Sequence, residues 1–176
     1  MEKAKNPASA INIAENVVFF NEAKARKVFA EAYSSHISGE IDEAIQLYEE
    51  SLKWCPTAES YTFLGWALSS RKEYEKAIAY CKLAIAIDPE YGNPYNDIGA
   101  YLIETGFGDD AIEWLKKAIA AKNYDCRFYS YYNLGKIYEE KNLIVKALNC
   151  YENAIRINPE FSAASQEAEK LKARLN

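Results

Sequence analysis

The chain has 176 residues, of which 49% are hydrophobic and 27% charged, and its formal net charge at pH 7 is −5. That length and apolar content suit one domain with a buried core. The acidic balance and the absence of any block of Lys and Arg argue against a nucleic-acid partner. No run of 18 apolar residues and no signal-peptide pattern occur, so we expect a cytoplasmic protein that does not bind a membrane.

The cysteines and the single histidine carry no pattern of a metal site. Cys55, Cys81, Cys126 and Cys150 are far apart, no Cys-x-x-Cys pair exists, and His36 is the only histidine. We therefore expect no metal, no cofactor and no disulfide, with Cys81 and Cys150 as small core residues. No glycine-rich phosphate loop and no evident pair of nucleophile and base occur either, so we predict that the protein is not an enzyme.

The first predicted element is the N-terminal tail and helix of residues 1–24. Asn6-Pro7 is a favourable helix start, and Ile11, Ala14, Val17 and Val18 supply an apolar face. The pattern leaves three arrangements of residues 8–24 open: a separate capping helix, an extension into the next helix, or a cover over a binding groove. The same apolar face is also a possible homodimer surface.

Residues 58–91 contain the unit that the rest of the chain repeats. Apolar residues recur three and four apart in residues 61–68 and again in residues 74–87, which predicts two amphipathic helices. Pro89 ends the second helix, because the residue before a proline is pushed out of the helical region. Gly65, Ala77 and Ala84 are small enough to let the two helices approach closely. The unit is therefore a helical hairpin.

The small residues of this hairpin recur along the chain. Gly65 corresponds to Ala32, Gly99 and Gly135, and Ala77 corresponds to Ala44, Ala111 and Ala147. Successive members of the alanine series lie 33, 34 and 36 residues apart. The spacing predicts four hairpins within residues 25–161, at about 25–57, 58–91, 92–127 and 128–161, followed by a C-terminal capping helix at 162–176.

The connection between the third and fourth hairpins departs from the pattern. It is two residues longer, and Asn123 stands where the other copies have proline. Asp125 is a candidate cap for the following helix. We favour a simple longer connection, and the alternative is a binding loop that carries Tyr124 and Arg127.

Three motifs connect the hairpins with a known family: LGWAL…Y..A…A…P at 64–89, IGAYL…A…A at 98–118 and LGKIY…A…Y..A…P at 134–159. They resemble tetratricopeptide repeats, which are helical hairpins of about 34 residues. The resemblance covers residues 25–161. It implies an all-α fold, an alpha-alpha superhelix (solenoid) of about four hairpins with N- and C-terminal capping helices.

The resemblance also implies that the first helices of the hairpins line a concave groove for a ligand. We select ten groove positions as candidate site residues: Arg26, Phe29, Tyr33, His36, Thr62, Trp66, Asn96, Tyr129, Tyr132 and Lys136. Aromatic residues and arginine commonly anchor protein interfaces, although rings in such an array also pack against one another. The resemblance implies that chaperone-clamping members carry Lys and Asn at the positions that Phe29 and Tyr33 hold here, so we expect that clamp to be absent.

The function predicted from these features is an adaptor or scaffold that binds a peptide segment of a partner protein in the groove. The alternative is a self-associating structural protein or a dedicated secretion-type chaperone. The apolar face within residues 8–24 would then serve for dimerisation.

Overall fold

The computed structural model describes the backbone of residues 7–175 and the side chains of residues 15–175. Within that part, the chain forms nine α-helices and no strand beyond one isolated bridge. The helices are α1 Pro7–Ile37, α2 Ile41–Trp54, α3 Ala58–Ser70, α4 Tyr74–Ile87, α5 Asn93–Glu104, α6 Gly108–Ala120, α7 Arg127–Glu140, α8 Ile144–Ile157 and α9 Ser162–Leu175. Each odd-numbered helix from α1 to α7 pairs with the next helix, and α9 packs on α8. The prediction of an all-α solenoid is confirmed.

A left-handed residue ends the first helix of every hairpin. Gly39, Lys72, Gly106 and Asn142 have φ angles of 85°, 62°, 84° and 56°. The next N–H then reaches back to a carbonyl of the last helical turn, as the N–H of Glu73 does to the Leu68 oxygen at 3.0 Å. The repeat is therefore visible in the backbone as well as in the side chains.

Lys72→Gly should raise the free energy of unfolding by about 0.5–1 kcal/mol, because glycine avoids the steric cost of the left-handed conformation. Lys72 is exposed, so removal of its side chain loses little packing. Urea denaturation monitored by circular dichroism measures the change. Lys72→Ala is the matched control, which removes the same side chain and keeps the backbone strain. An equal gain in both variants would assign the effect to the lysine side chain and not to the backbone.

The paired helices touch at the small residues of the repeat. A Cβ on Gly99 would lie 2.5 Å from Leu115 Cδ2, and one on Gly135 would lie 2.4 Å from Tyr151 Cε1. A Cβ on Gly65 would lie 3.1 Å from the Ala77 carbonyl oxygen. The alanines of the facing helices are fully buried at positions 44, 77, 111 and 147. The predicted register of the hairpins is therefore confirmed.

Helix α1 decides between the arrangements left open for residues 8–24. The helix is continuous from Pro7 to Ile37, so this segment extends the first helix of the first hairpin. Val17, Val18, Phe19 and Phe20 are each more than half exposed, which shows that they do not cover a groove. The proposed Asn6 cap and the side chains of residues 11 and 14 lie outside the described residues.

Helix α9 covers the apolar end of the array. It buries Ala164, Ala168 and Leu171, and the last two join a cluster with Ala147 and Tyr151 of α8. Its outer side carries Lys and Glu residues. The helix thus gives the last hairpin a partner for its apolar face, as a terminal cap does.

Candidate functional site

Arg127 holds the connection between α6 and α7 in place. Its guanidinium donates to the carbonyls of Ile119 and Lys122, each at 3.1 Å, and also to those of Ala121 and Tyr124. These groups include carbonyls at the end of α6 that have no partner within the helix. The alternative interpretation of Arg127 as a ligand-binding residue is therefore wrong, because its donors are used within the chain.

The residues before Arg127 bind to the preceding connection of the array. The N–H of Asn123 donates to the Glu90 carbonyl at 2.9 Å, and the N–H of Gly92 donates to the Asn123 carbonyl at 3.0 Å. Proline at position 123 would lack the first of these donors. Asp125 is exposed and the helix begins at Arg127 without a side-chain cap, so the suggested Asp125 cap is wrong.

Tyr124 is the residue that this connection places in the array. It is only 3% exposed, and Gly92 lies so close that a Cβ there would be 2.3 Å from Tyr124 Cβ. Its hydroxyl lies 3.4 Å from Ser130 Oγ. The longer connection therefore packs within the array, and its buried Tyr124 lies against the first helices α5 and α7.

A cavity of about 440 Å³ opens between α3, α5 and α7. We call it the central groove. Its lining residues come from these three first helices and from the α6–α7 connection. They are Thr62, Phe63, Trp66, Asn93, Asn96, Asp97, Ala100, Tyr124, Cys126, Tyr129 and Asn133.

Two exposed aromatic rings stand on opposite walls of the central groove. Trp66 on α3 is 42% exposed and rests on His36, with ring centroids 4.1 Å apart. Tyr129 on α7 is 45% exposed and packs against Phe128, with centroids 4.3 Å apart. Each ring is supported on one side, so little conformational entropy is lost when a ligand covers the other side.

A hydrogen-bonded network orients Asn96 on the floor of the groove. Its Oδ1 accepts from Ser130 Oγ at 2.9 Å and from Asn133 Nδ2 at 3.4 Å. Its Nδ2 donates to Asp97 Oδ1 at 3.4 Å. With its oxygen used by two donors, the amide group keeps its nitrogen toward Asp97.

Asp97 is the only formally charged residue among those that line the central groove. No Lys or Arg pairs with it in the described residues 15–175, and the side chain that donates a hydrogen bond to it there is Asn96. Burial raises the pKa of Asp97 to about 7, and the hydrogen bond from Asn96 opposes this shift only in part. The groove therefore contains a carboxyl group that lacks a cationic partner.

The candidate residues from the sequence fall into separate places. Thr62, Trp66, Asn96 and Tyr129 line the central groove. Arg26 and Phe29 line a smaller pocket of about 230 Å³, formed by residues of α1, α2 and α3. Tyr33 is 42% exposed beside Phe63, with ring centroids 5.7 Å apart. The ten positions therefore do not form one continuous site.

Three of these side chains have structural contacts that limit their access to a ligand. His36 is 6% exposed and Thr62 is 3% exposed, with Thr62 Oγ1 donating to the Ala58 carbonyl at 2.8 Å. Phe29 packs against Phe63 at 5.2 Å between ring centroids. At these three positions the side chains are used in packing between helices, which leaves little of their surface for a ligand.

Tyr132 and Lys136 lie farther along α7, outside the central groove. The ring of Tyr132 is half-buried against Tyr151 and Phe161, with centroids 5.7 and 5.2 Å away. Lys136 is half-buried one turn beyond Tyr132. The aromatic row that the sequence suggests is thus divided, and its C-terminal part packs within the chain.

Seven residues of the groove lie outside the ten candidate positions: Phe63, Asn93, Asp97, Ala100, Tyr124, Cys126 and Asn133. Part of this set has a signal in the sequence. Asn93, Asn96, Asp97 and Ala100 lie three and four residues apart, as side chains on one face of a helix do. The spacing of side chains on α5 was therefore sufficient to identify Asp97 as a groove residue. The position of Tyr124, by contrast, depends on the course of the α6–α7 connection.

No group of three or more His, Cys, Asp or Glu side chains suited to a metal ion occurs in the described part of the chain. Cys81 and Cys150 are buried, as predicted, and Cys126 lines the central groove. Burial raises the pKa of the Cys150 thiol to about 11. In residues 7–175, no helix has the length and apolar character needed to cross a bilayer.

Comparison with known proteins adds three observations. The tetratricopeptide repeat family model matches residues 58–91 and 128–161. The rat mitochondrial import receptor subunit TOM70 is 28% identical over 143 residues, which is 78% of this chain and 23% of that protein. Small glutamine-rich tetratricopeptide repeat-containing protein 2 of Saccharomyces cerevisiae is 33% identical over 99 residues, covering 56% of this chain and 29% of the relative. The chain thus spans less than a third of these relatives.

A solved structure agrees with the fold. The structure of PilF from Pseudomonas aeruginosa superimposes with a TM-score of 0.80 at 20% identity, covering 87% of this chain and 70% of that one. At this identity the likeness concerns the fold alone. The motif matches and the repeat geometry agree with one another, and members of the family act in protein–protein interaction. The chain thus contains tetratricopeptide repeats at residues 58–91 and 128–161, and its described residues have the fold of tetratricopeptide repeat proteins.

Proposed function

We propose that this protein is a non-enzymatic adaptor that binds an extended segment of a partner protein in the central groove. The observation that carries the proposal is the pair of exposed rings of Trp66 and Tyr129, each packed on one side against the protein. They stand on opposite walls of the central groove, with polar residues on the floor between them. Large aromatic residues anchor protein interfaces because they bury much area at low entropic cost. The family relationship supports a role in binding other proteins.

The polar floor favours a polypeptide as the ligand over a purely apolar molecule. Asn93, Asn96 and Asn133 line the groove, and their amide groups are able to hydrogen-bond the backbone of an extended chain. The volume of about 440 Å³ is within the range of ligand pockets, about 300–1,000 Å³. We assign the ligand contacts to Trp66, Asn96 and Tyr129, with Arg26, Tyr33 and Lys136 as outlying contacts of a longer segment.

Trp66→Ala and Tyr129→Ala should each weaken binding of a groove ligand by about tenfold or more, since truncation of an aromatic anchor typically costs about 2 kcal/mol. A peptide selected from a random library against the full chain serves as the probe, and calorimetry measures its affinity. Lys82→Ala on α4 and Lys116→Ala on α6 are the controls, since both lysines are exposed on second helices. Loss of binding in the lysine variants alone would place the ligand on the second-helix face and contradict the proposal.

Self-association is a second candidate function, and the exposed side chains of α1 favour it. Phe19 is 67% exposed and Val18 57% exposed in the part of α1 that extends beyond the first hairpin. Apolar surface of this kind is typical of contact sites. Light scattering of the full chain and of Phe19→Ser distinguishes the two candidates. A dimer that the substitution dissociates supports self-association, and a monomer in both cases excludes it at the concentration used.

A further inference from the structure

We propose that the central groove accepts a basic side chain, lysine or arginine, of the bound segment, with the Asp97 carboxylate as its counter-ion. The inference rests on the proposed function of the groove and specifies the chemistry of the segment. It makes the groove selective for basic over acidic ligands.

The charge of the groove is the first argument. Asp97 is the only charged residue of the lining. The lining contains no lysine or arginine that would attract an acidic ligand. A carboxylate withdrawn from water is unfavourable unless a cation or several hydrogen bonds compensate it. The described residues supply Asp97 with one long hydrogen bond, 3.4 Å from Asn96. A cationic group from the ligand would supply the missing compensation.

The orientation of Asn96 is the second argument. Ser130 and Asn133 use its oxygen, so the amide cannot turn that acceptor toward the ligand without the loss of both bonds. The nitrogen remains directed to Asp97 and holds one carboxylate oxygen in position. Asp97 is thus a fixed acceptor in the groove, and the groups that bind such an acceptor best are ammonium and guanidinium donors.

The aromatic walls are the third argument. Trp66 and Tyr129 present exposed rings, and the electron-rich face of an aromatic ring attracts a cation within about 6 Å of its centroid. The aliphatic stem of Lys or Arg would lie along the apolar lining at Phe63 and Ala100. Arginine fits both features, because its planar guanidinium stacks on rings and pairs with carboxylates.

The ionisation of Asp97 makes binding depend on pH. The titratable side chains around it are Cys81 of α4, Tyr91 before α5, Tyr101 of α5, Tyr124 and Cys126 of the connection, and Tyr129 of α7. Burial raises the pKa of Cys81, Tyr91, Tyr101 and Tyr124, so these four remain uncharged around neutral pH. His36 lies behind Trp66, where burial lowers its pKa. Among the groups in and around the groove whose pKa is shifted, Asp97 is the one whose charge changes near pH 7.

The test uses a random heptapeptide library displayed on phage, selected at pH 7.5 against the full chain and against Asp97→Asn, which keeps the side-chain shape and removes the charge. We expect the wild-type protein to enrich Lys or Arg at one fixed position. We expect the variant to retain apolar and aromatic preferences and to lose the basic one. A wild-type-selected peptide should bind the variant about tenfold more weakly or worse. Replacing its basic residue with norleucine should weaken wild-type binding similarly and should have little further effect in the variant.

The outcomes separate the two proposals. No enrichment with either protein overturns the groove as a peptide site and this inference with it. Enrichment without a basic position, or a preference for basic residues that persists in Asp97→Asn, overturns this inference and leaves the peptide site supported. The wild-type affinity should also fall about severalfold from pH 8 to pH 6, as Asp97 becomes protonated, and should stay constant in the variant. A pH-independent wild-type affinity contradicts the role of Asp97.

Discussion

Asp97→Asn should raise the free energy of unfolding of the ligand-free protein at pH 8 by about 2–4 kcal/mol. Burial raises the pKa of Asp97 to about 7, whereas an unfolded Asp titrates near its ordinary value of about 3.9. The folded state then holds the proton more tightly than the unfolded state. The protonated carboxyl group of Asp97 therefore contributes to the free energy of unfolding below about pH 4, and this contribution is lost as the pH rises toward 7. Asparagine carries no such penalty.

The measurement is urea denaturation of both proteins at intervals from pH 4 to pH 8. The pKa values of Asp97 in the folded and unfolded states differ by about three, and each pKa unit corresponds to roughly 1.4 kcal/mol. This sets the upper limit of the stability difference between the two proteins, and partial access of water to the groove reduces it. The difference should be near zero at pH 4 and reach its plateau by about pH 8. Asp125→Asn is the control, because Asp125 is exposed and should show no comparable gain. Parallel stability profiles for wild type and Asp97→Asn would show that Asp97 titrates normally.

Gly99→Leu should lower the free energy of unfolding by about 2–4 kcal/mol, because the added side chain enters a filled contact between α5 and α6. Even a Cβ at this position would lie 2.5 Å from Leu115 Cδ2 and 2.7 Å from its Cγ. Leu115 is fully buried and has little room to move. Thermal unfolding followed by circular dichroism would report a large decrease in Tm.

Gly108→Ala is the matched glycine substitution. A Cβ there would meet nothing closer than Ile137 Cγ1 at 3.8 Å, which is an ordinary contact. The residue begins α6, and alanine has the higher helix propensity, so the change should cost little. If the two variants have the same Tm, the close approach at Gly99 is not a major determinant of stability.

The architecture of the array could be predicted from local signals in the sequence. A helix buries one face, and the side chains on that face recur at a fixed spacing, so the alanine series from Ala44 to Ala147 reports the register directly. These alanines are fully buried, and the glycines opposite them lie at close helix contacts. Since these contacts lie within hairpins, their partners are near in sequence and the pattern is sufficient to identify them.

The groove depended on contacts between hairpins, which a repeat pattern does not specify. The family resemblance assigned His36 to a groove-facing position, but its ring is buried beneath Trp66 because α1 and α3 lie side by side. Tyr132 similarly packs against Phe161, which lies beyond the end of α8. The residues around an aromatic ring decide whether the ring packs within the protein or is exposed to a ligand. Those residues come from another part of the chain.

The sequence by itself thus determined the fold class, the four-fold register and the small residues at the helix contacts, because each follows from the local spacing of side chains. Only the tertiary structure decided that α1 is continuous, that Arg127 donates to backbone carbonyls and that no Lys or Arg of residues 15–175 lines the groove beside Asp97. The physical reason is that burial and hydrogen-bond partners are properties of assembled elements. Asp97 has the same sequence neighbours in the unfolded chain, but its raised pKa arises when the array removes water from it.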